Sequence, residues 1–167
     1  MNYPTCTACD LCSRVKSVGI GATGEPNGIL FIGIGPGSDE DAAGRPFIGR
    51  AGRELRKLIK RTIPDVPVAF ANLVGCRPPN DKPTPEQIET CWNLYKDEYL
   101  DSIQPKVIIG LGEIVLNQHL VCDTQAYAKK IPSVSEARRR EYRYLRGIPY
   151  LATYHPAAVL RSGSGAG

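Results

Sequence analysis

Five cysteines are the residues whose type and spacing most clearly suggest chemistry in this sequence. Cys6 and Cys9 form a C-x2-C pair, Cys12 follows three residues later, and Cys76 and Cys91 lie far downstream. Zinc sites usually combine two C-x2-C knuckles, and the sequence has no second knuckle. One local pair with two dispersed thiolates suits a [4Fe–4S] cluster, whose corners lie farther apart than the ligands of a single ion. The alternative is that Cys76 and Cys91 are small buried hydrophobic residues, as free cysteines often are.

A glycine-rich segment is the second candidate, and it reads Gly33-Ile34-Gly35-Pro36-Gly37-Ser38-Asp39-Glu40-Asp41. The backbone N–H groups of such a turn can cradle a phosphate. Neither the dinucleotide-binding fingerprint nor the P-loop pattern is present, which argues against a nucleotide-cofactor enzyme. The alternatives are an ordinary strand-to-helix turn and, for the three acidic residues, a solvated loop.

His155 is one of only two histidines, and it lies between an apolar run and Pro156. A histidine at the carboxyl end of a strand is well placed for function, because ligands of parallel sheets bind there. The alternative is a structural role. His119 lies in the middle of a predicted helix, and we interpret it as an ordinary residue.

Residues 138–146 contain five arginines and two tyrosines. Arginine pairs with phosphate and aromatic rings stack on bases, so this mixture suits nucleic acid. Six basic residues could extend the same positive field: Arg50, Arg53, Arg56, Lys57, Lys60 and Arg61. The net charge of +4 permits such a partner without establishing it. The alternative for both segments is a solvated surface.

Four apolar runs predict the strands that position these residues, at 29–34, 68–73, 106–111 and 149–154. Helices are predicted at 49–61, 85–103, 113–121 and 156–161, the second with Thr84 as its N-cap. The alternation predicts an α/β fold, a three-layer αβα sandwich with a four-stranded, mostly parallel central sheet. Gly35, Asn72 and His155 are then expected to line one crevice beyond the strand ends.

The composition bounds the class of protein. The chain has 167 residues, of which 42% are hydrophobic and 23% charged, so we expect one domain over 1–161 with a flexible tail at 162–167. The start of the sequence lacks the pattern of a secretory signal, and no apolar run approaches the ~18 residues of a membrane span. We therefore expect a cytoplasmic protein, in which clustered cysteines are more often metal ligands than disulfides.

Taken together, these motifs resemble the family 4 uracil-DNA glycosylases, the iron–sulfur branch of the uracil-DNA glycosylase superfamily. The resemblance covers roughly residues 6–161 and rests on the cysteines and on segments 35–52, 72–79 and 155–157. Ile34 stands where the family usually has glutamate, and Gly75 stands where it usually has lysine. Cys12 adds a third nearby thiol that could compete with a cluster ligand or substitute for one.

The resemblance implies a base-excision-repair enzyme, acting as a monomer, that releases uracil from single- or double-stranded DNA and leaves an abasic site. It implies a [4Fe–4S] cluster on Cys6, Cys9, Cys76 and Cys91. In the base pocket it implies that Phe47 stacks on the base beside Gly35, Asn72 pairs with O4 and N3–H, and His155 donates to O2. Glu40 would orient the attacking water now that Ile34 cannot. The DNA contacts that the resemblance implies are Pro36, Gly37, Ser38, Arg161 and Leu160, the last as a wedge in the base stack. Arg139, Arg140 and Arg143 are candidate phosphate contacts from their residue types alone, because the arginine-rich stretch has no counterpart in the family.

Two other functions remain open at this point. The fold could act on a different modified pyrimidine, because nothing in the sequence fixes the exclusion of a 5-substituent. It could also be a binding module that recognises uracil in DNA with little or no catalysis, since Ile34 replaces the usual glutamate.

Overall fold

A single twisted sheet organises the computed structural model, which describes residues 1–112, 115, 134–137 and 143–163. Its described strands are β1 (Thr23–Gly24), β2 (Ile29–Gly33), β3 (Val68–Asn72), β4 (Val107–Leu111), β5 (Arg143–Leu145) and β6 (Ile148–Thr153). The strand order is β1-β3-β2-β4-β6-β5. The neighbouring pairs among β3, β2, β4 and β6 are parallel, whereas β1 pairs antiparallel with β3 and β5 pairs antiparallel with β6.

The α/β class is thus confirmed, and the predicted four-stranded sheet is corrected to a mixed sheet with six described strands. The two additional strands lie at the edges, and neither contains a buried apolar run. β5 and β6 form a hairpin whose turn residues Arg146 and Gly147 have φ of 49° and 76°, as a tight two-residue turn requires. Arg146 also contacts Asp101 at 2.9 Å and Asp97 at 3.3 Å, so this arginine of the basic segment anchors the hairpin.

The described helices are α1 (Ser38–Ala43), α2 (Arg50–Thr62), α3 (Pro85–Ile103), α4 (Val134–Ala137) and α5 (Pro156–Gly163), with 3-10 turns at Asp10–Arg14 and Pro79–Asp81. α3 begins as predicted, because the Thr84 hydroxyl accepts from the Gln87 N–H and the Gln87 side chain accepts from the Thr84 N–H. α5 is two residues longer than predicted. The predicted helix 113–121 and His119 lie largely outside the described residues, of which only Val115 belongs to this segment.

Successive strand residues face opposite sides of the sheet, and this alternation builds two cores. On one side Leu30 and Ile32 pack in a cluster with Trp92 and Leu100 of α3. On the other side Phe31 packs in a cluster with residues of α2. Because β2, β3 and β6 run in the same direction, their carboxyl ends meet at one edge of the sheet. Across the described residues, no helix has the length and apolar content needed to cross a membrane.

Candidate active site

A cavity of about 880 Å³ lies at the carboxyl ends of the parallel strands. It brings together residues that are far apart in the chain, as the topology of the sequence predicted. Sequence-predicted site residues that line it are Gly35, Pro36, Gly37, Ser38, Glu40, Phe47, Asn72, His155 and Arg161. All the residues predicted to bind the base or to take part in catalysis line this cavity.

Phe47 and Asn72 meet at the end of strand β2. A Cβ on Gly33 would lie 2.6 Å from Oδ1 of Asn72 and 2.7 Å from Cζ of Phe47. Both side chains therefore occupy the space that any larger residue at position 33 would need. Asn72 is only 4% exposed, and its strand pairs with β2 in a register that places it directly opposite Gly33. Gly33 has no predicted role in the sequence, although a glycine ending a buried strand is a signal of close approach.

The backbone at Phe47 is held in a left-handed conformation, with φ of 56°. For a bulky residue this conformation is strained, and it persists where surrounding contacts enforce it. Arg56 supplies two of those contacts, because its guanidinium donates to the carbonyls of Phe47 at 3.0 Å and Pro46 at 3.4 Å. The ring of Phe47 packs on Phe70, with centroids 5.3 Å apart. Arg56 of the basic helix therefore helps to hold the loop that carries Phe47, although the arginine itself is exposed.

Glu40 is buried and forms hydrogen bonds, so the solvated-loop interpretation is wrong for it. Its Oε1 accepts from the backbone N–H groups of Ile48 at 3.0 Å and Gly49 at 2.7 Å. Gly49 is the N-cap of α2, and a carboxylate there interacts favourably with the helix dipole. Oε2 lies near Gly37, 2.9 Å from the position a Cβ on that glycine would take. One oxygen thus fixes the segment after Phe47, while the carboxylate lines the cavity.

The other two acidic residues of this segment have different environments. Asp41 is also buried, and its Oδ1 accepts from the N–H groups of Lys16 and Ser17, both at 2.9 Å. It therefore ties the N-terminal segment to α1. Asp39 is exposed and lies 4.0 Å from Arg53, so the solvated interpretation holds for this residue alone.

His155 caps helix α5 at the mouth of the cavity. Its Nδ1 accepts from the Ala157 N–H at 3.1 Å, and its carbonyl accepts from the Ala158 N–H at 2.9 Å. Burial, reinforced by the positive charge of Arg161, lowers the pKa of His155 below its ordinary value. A neutral ring whose Nδ1 is an acceptor carries its proton on Nε2. The structure therefore presents this histidine as a neutral Nε2–H donor.

The predicted DNA contacts fall into three groups. Pro36, Gly37, Ser38 and Arg161 line the cavity, and Leu160 lies outside it on the same helix. Leu160 is partly buried, whereas Val159 is 58% exposed. Arg139 and Arg140 lie outside the described residues, and Arg143 begins strand β5.

A second, smaller cavity is lined by five cysteines: Cys6, Cys9, Cys12, Cys76 and Cys91. The Gly19 N–H donates to Sγ of Cys76, and the Gly75 N–H donates to Sγ of Cys91, both at 3.3 Å. Burial raises the pKa of the Cys76 and Cys91 thiols, the latter to about 12. In the described part of the chain, no three candidate ligand side chains are placed to hold a single metal ion. The donor set, all sulfur with backbone N–H groups directed at two thiols, fits a cluster.

Comparison with known proteins decides the family. Residues 20–166 match the model of the uracil DNA glycosylase superfamily. The chain belongs to this superfamily. A Type-4 uracil-DNA glycosylase of Thermotoga maritima is 36% identical over 161 residues, covering 95% of this chain and 80% of that protein. One of Archaeoglobus fulgidus is 34% identical over 161 residues, covering 93% and 78%. The resemblance to family 4 is confirmed.

A Type-5 uracil-DNA glycosylase of Pyrobaculum aerophilum is 26% identical over 93 residues, covering 55% of this chain and 37% of that protein. The likeness to the Type-4 proteins is both closer and longer.

The structure shows the surroundings of Ile34 and Gly75, the two residues that differ from the usual family sequence. Ile34 lines the cavity where the family usually has glutamate, so an apolar side chain forms that part of the wall. A Cβ on Gly75 would lie 3.1 Å from Cα of Gly19, so a side chain there would press on the N-terminal segment beside the cysteines. The glycine permits this close approach. The carbonyl of Gly75 also accepts from the Ile20 N–H at 2.7 Å.

Part of the rim of this cavity comes from a loop whose residues were not predicted to belong to the site. Asn80, Asp81 and Lys82 line it, and the first two have φ of 54° and 57°. Asn and Asp tolerate this conformation better than other non-glycine residues. The consecutive prolines Pro78 and Pro79 followed by Asn-Asp are a turn signal that could have directed attention to this loop.

Proposed function

We propose that this protein is a uracil-DNA glycosylase that hydrolyses the bond between uracil and deoxyribose in DNA. A base inside a duplex is unreachable, so it must leave the stack and enter a pocket. The observation that carries the proposal is one cavity containing the ring of Phe47, the amide of Asn72 and the neutral donor His155. These residues supply stacking, pairing and stabilisation of charge, the three operations that the reaction requires.

Recognition of uracil would rest on Asn72. A carboxamide offers a donor for O4 and an acceptor for N3–H, and cytosine presents the opposite pattern. The amide is nearly fully buried, so a mismatched base would leave polar groups unpaired away from water. The absence of a side chain at Gly33 leaves the space that the amide and the Phe47 ring occupy.

Bond cleavage would rest on His155. The sugar becomes oxocarbenium-like as the bond breaks, and negative charge develops on the uracil base, including O2. A prepositioned Nε2–H donor stabilises that charge more than it stabilises the ground state. The Ala157 N–H fixes the tautomer that provides this donor.

Glu40 would have two roles in the reaction. Oε1 anchors the backbone after Phe47, as its two hydrogen bonds indicate. Oε2 would polarise the attacking water, the role that Ile34 cannot perform.

The two roles of Glu40 can be separated by substitution. Glu40→Gln keeps a side-chain oxygen for the Ile48 and Gly49 N–H groups but removes the charge. We expect uracil release to fall by roughly 10²-fold, the lower edge of general-base contributions, while the melting temperature stays close to that of wild type. Glu40→Ala should lower both the rate of uracil release and the melting temperature. Single-turnover rates and thermal melts measure the two effects, and a fully active Glu40→Gln variant would leave Glu40 as a positioning residue only.

The DNA backbone would lie against the loop Pro36–Ser38 and the N-terminal half of α5. Arg50 and Arg161 line the cavity and can pair with phosphates. Of the two large apolar residues on α5, Val159 is the more exposed, so we assign the wedge to Val159 instead of Leu160. Arg139 and Arg140, which lie outside the described residues, remain candidates for additional phosphate contacts, together with Arg143.

A wedge matters only where there is a stack to open. Val159→Ala should therefore slow uracil release from duplex DNA several-fold more than from single-stranded DNA, because opening a base pair costs a few kcal/mol. Leu160→Ala is the matched control, and it should slow both substrates alike through lost packing. Equal effects of Val159→Ala on the two substrates would return the wedge assignment to Leu160.

The residues of the second cavity fit an iron–sulfur cluster, and we propose Cys6, Cys9, Cys76 and Cys91 as its ligands. When bound, the cluster would pin the N-terminal segment to the loop before α3 and to α3 itself. The base pocket is built from other residues, so uracil release needs no chemistry from the cluster.

Incubation with oligonucleotides, followed by alkaline cleavage at abasic sites, tests the proposed activity. Uracil-containing DNA should be cut after treatment, and the same strand with thymine should remain intact. Release of only a 5-modified pyrimidine would change the substrate and keep the mechanism. Tight binding of uracil DNA without cleavage would favour a binding module. In that case Ile34→Glu should create activity, since Ile34 lines the cavity.

A further inference from the structure

The cysteine cavity contains one more thiol than a cluster with four ligands needs. Cys12 lines it together with the four proposed ligands. The N-terminal sequence runs Cys6-x2-Cys9-x2-Cys12, which is two overlapping C-x2-C pairs. A C-x2-C-x2-C run is a spacing from which bacterial ferredoxins bind one [4Fe–4S] cluster. Cys12 therefore lies close to the proposed ligands and also has the sequence spacing of a cluster ligand.

The local backbone brings Cys12 beside Cys9. Cys9 is the N-cap of the 3-10 turn Asp10–Arg14, and Cys12 lies inside that turn. A 3-10 helix has three residues per turn, so side chains three apart lie on the same face. Leu11 is 1% exposed and anchors the turn in the core, while Gln87 at the start of α3 donates to Asp10 at 2.8 Å. The 3-10 turn that contains Cys12 is therefore held in place by the buried Leu11 side chain and by the hydrogen bond to Asp10.

The five thiols are not equivalent in their surroundings. Backbone N–H groups hold the sulfurs of Cys76 and Cys91, as described above. Cys6 lies before the 3-10 turn, in irregular backbone. Loss of Cys6 leaves Cys9 and Cys12 as an intact C-x2-C pair, whereas loss of Cys9 leaves two thiols six positions apart. Cys6 is thus the ligand that Cys12 can replace.

We propose that Cys12 is a reserve ligand that takes the place of Cys6 on the cluster, an inference that rests on the proposed cluster. In the exchange, the iron–sulfur bond to Cys6 breaks and one to Cys12 forms. The thiol proton of Cys12 passes to the released Cys6 thiolate, and no electron is transferred. The exchange would keep the cluster bound when Cys6 dissociates or is chemically modified.

Iron and acid-labile sulfide per chain, with the visible absorption spectrum, test the proposal in full-length protein purified without oxygen. Cys6→Ser and Cys12→Ser should each retain most of the wild-type iron, and the double variant should lose it. Cys76→Ser is the control without a replacement, and it should lose the cluster. If Cys6→Ser loses iron as completely as Cys76→Ser, whether or not it folds, the reserve role is overturned.

A second measurement does not depend on the Cys6 variant. Cys12→Ser should release iron to a ferrous chelator several-fold faster than wild type. When Cys6 dissociates in this variant, no second thiol is present to bind the iron that it leaves. An unchanged release rate overturns the proposal, and so does complete loss of iron from Cys12→Ser, which would make Cys12 a primary ligand. Wild-type protein that contains zinc and no iron would refute the cluster itself. Uracil release is assayed separately, so either failure leaves the proposed activity standing.

Discussion

Replacing His155 by alanine is expected to lower the single-turnover rate of uracil release by roughly 10²–10³-fold while binding to uracil-containing DNA persists. The donor interaction strengthens as charge develops on the base, so its loss affects the transition state more than the bound substrate. Rates measured with enzyme in excess, alongside binding at fixed salt concentration, separate the two effects. A His155→Ala variant that releases uracil at the wild-type rate would refute the assignment.

His155 also caps α5, so a matched variant must separate capping from chemistry. Asparagine is a good N-cap residue, and its side-chain oxygen can accept from the Ala157 N–H as Nδ1 does. His155→Asn should therefore retain most of the wild-type folding stability but release uracil as slowly as His155→Ala. His155→Ala should lose the rate and, in addition, about 1 kcal/mol of stability. Equal melting temperatures for the two variants would indicate that the cap is unimportant.

The pH dependence follows from the lowered pKa of His155. Because burial and Arg161 favour the neutral ring, the form whose Nδ1 accepts from the Ala157 N–H persists at neutral pH and is lost only on acidification. The wild-type rate should stay level from pH 8 to about 6.5, the ordinary pKa of histidine, and fall below it as Nδ1 is protonated and the Ala157 bond breaks. Arg161→Gln removes the repelling charge, so its decline should begin at higher pH.

The sequence anticipated the part of the site that depends on topology alone. Asn72 and His155 each end an apolar run, and parallel pairing brings such ends together whatever the details of the loops. The α/β class follows from the same alternation. The edge strands β1 and β5 escaped prediction because short polar strands are specified by backbone pairing with a neighbour, which leaves no apolar pattern in the sequence.

The parts that escaped prediction are set by contacts between distant segments. Glu40 lies in an acidic triplet typical of a solvated loop, and its burial depends on N–H groups eight and nine residues later. The left-handed backbone of Phe47 is held in part by a hydrogen bond from Arg56, nine residues later, which no periodicity in the sequence reveals. We propose Val159 as the wedge instead of Leu160 because it is the more exposed side chain, and exposure depends on the orientation of α5, which the sequence does not give. Periodicity describes single elements, and these features arise between elements.

Asn72→Asp is expected to reduce uracil release at neutral pH by at least roughly 10²-fold, since a lost hydrogen bond to a charged group costs about 3 kcal/mol. The carboxylate cannot donate to O4, and it would be buried beside Phe47 with an acceptor facing an acceptor. Burial raises the pKa of such a carboxyl group, so acidification should restore a donor as the group is protonated. The rate of this variant should therefore rise as pH falls, opposite to the wild type.

Asn72→Ala is the control for that reversal, because it removes both donor and acceptor and leaves no group to titrate at position 72. Its residual rate should follow the wild-type pH profile at a lower level. Thymine DNA should remain intact with Asn72→Asp, since a carboxylate is nearly the same size as the amide and leaves the space beside Phe47 and Gly33 filled. If Asn72→Asp matches Asn72→Ala at every pH, the amide does not pair with O4 and base recognition must rest on other groups in the cavity. If its rate instead rises towards low pH, the Asn72 side chain reads the uracil edge through its donor.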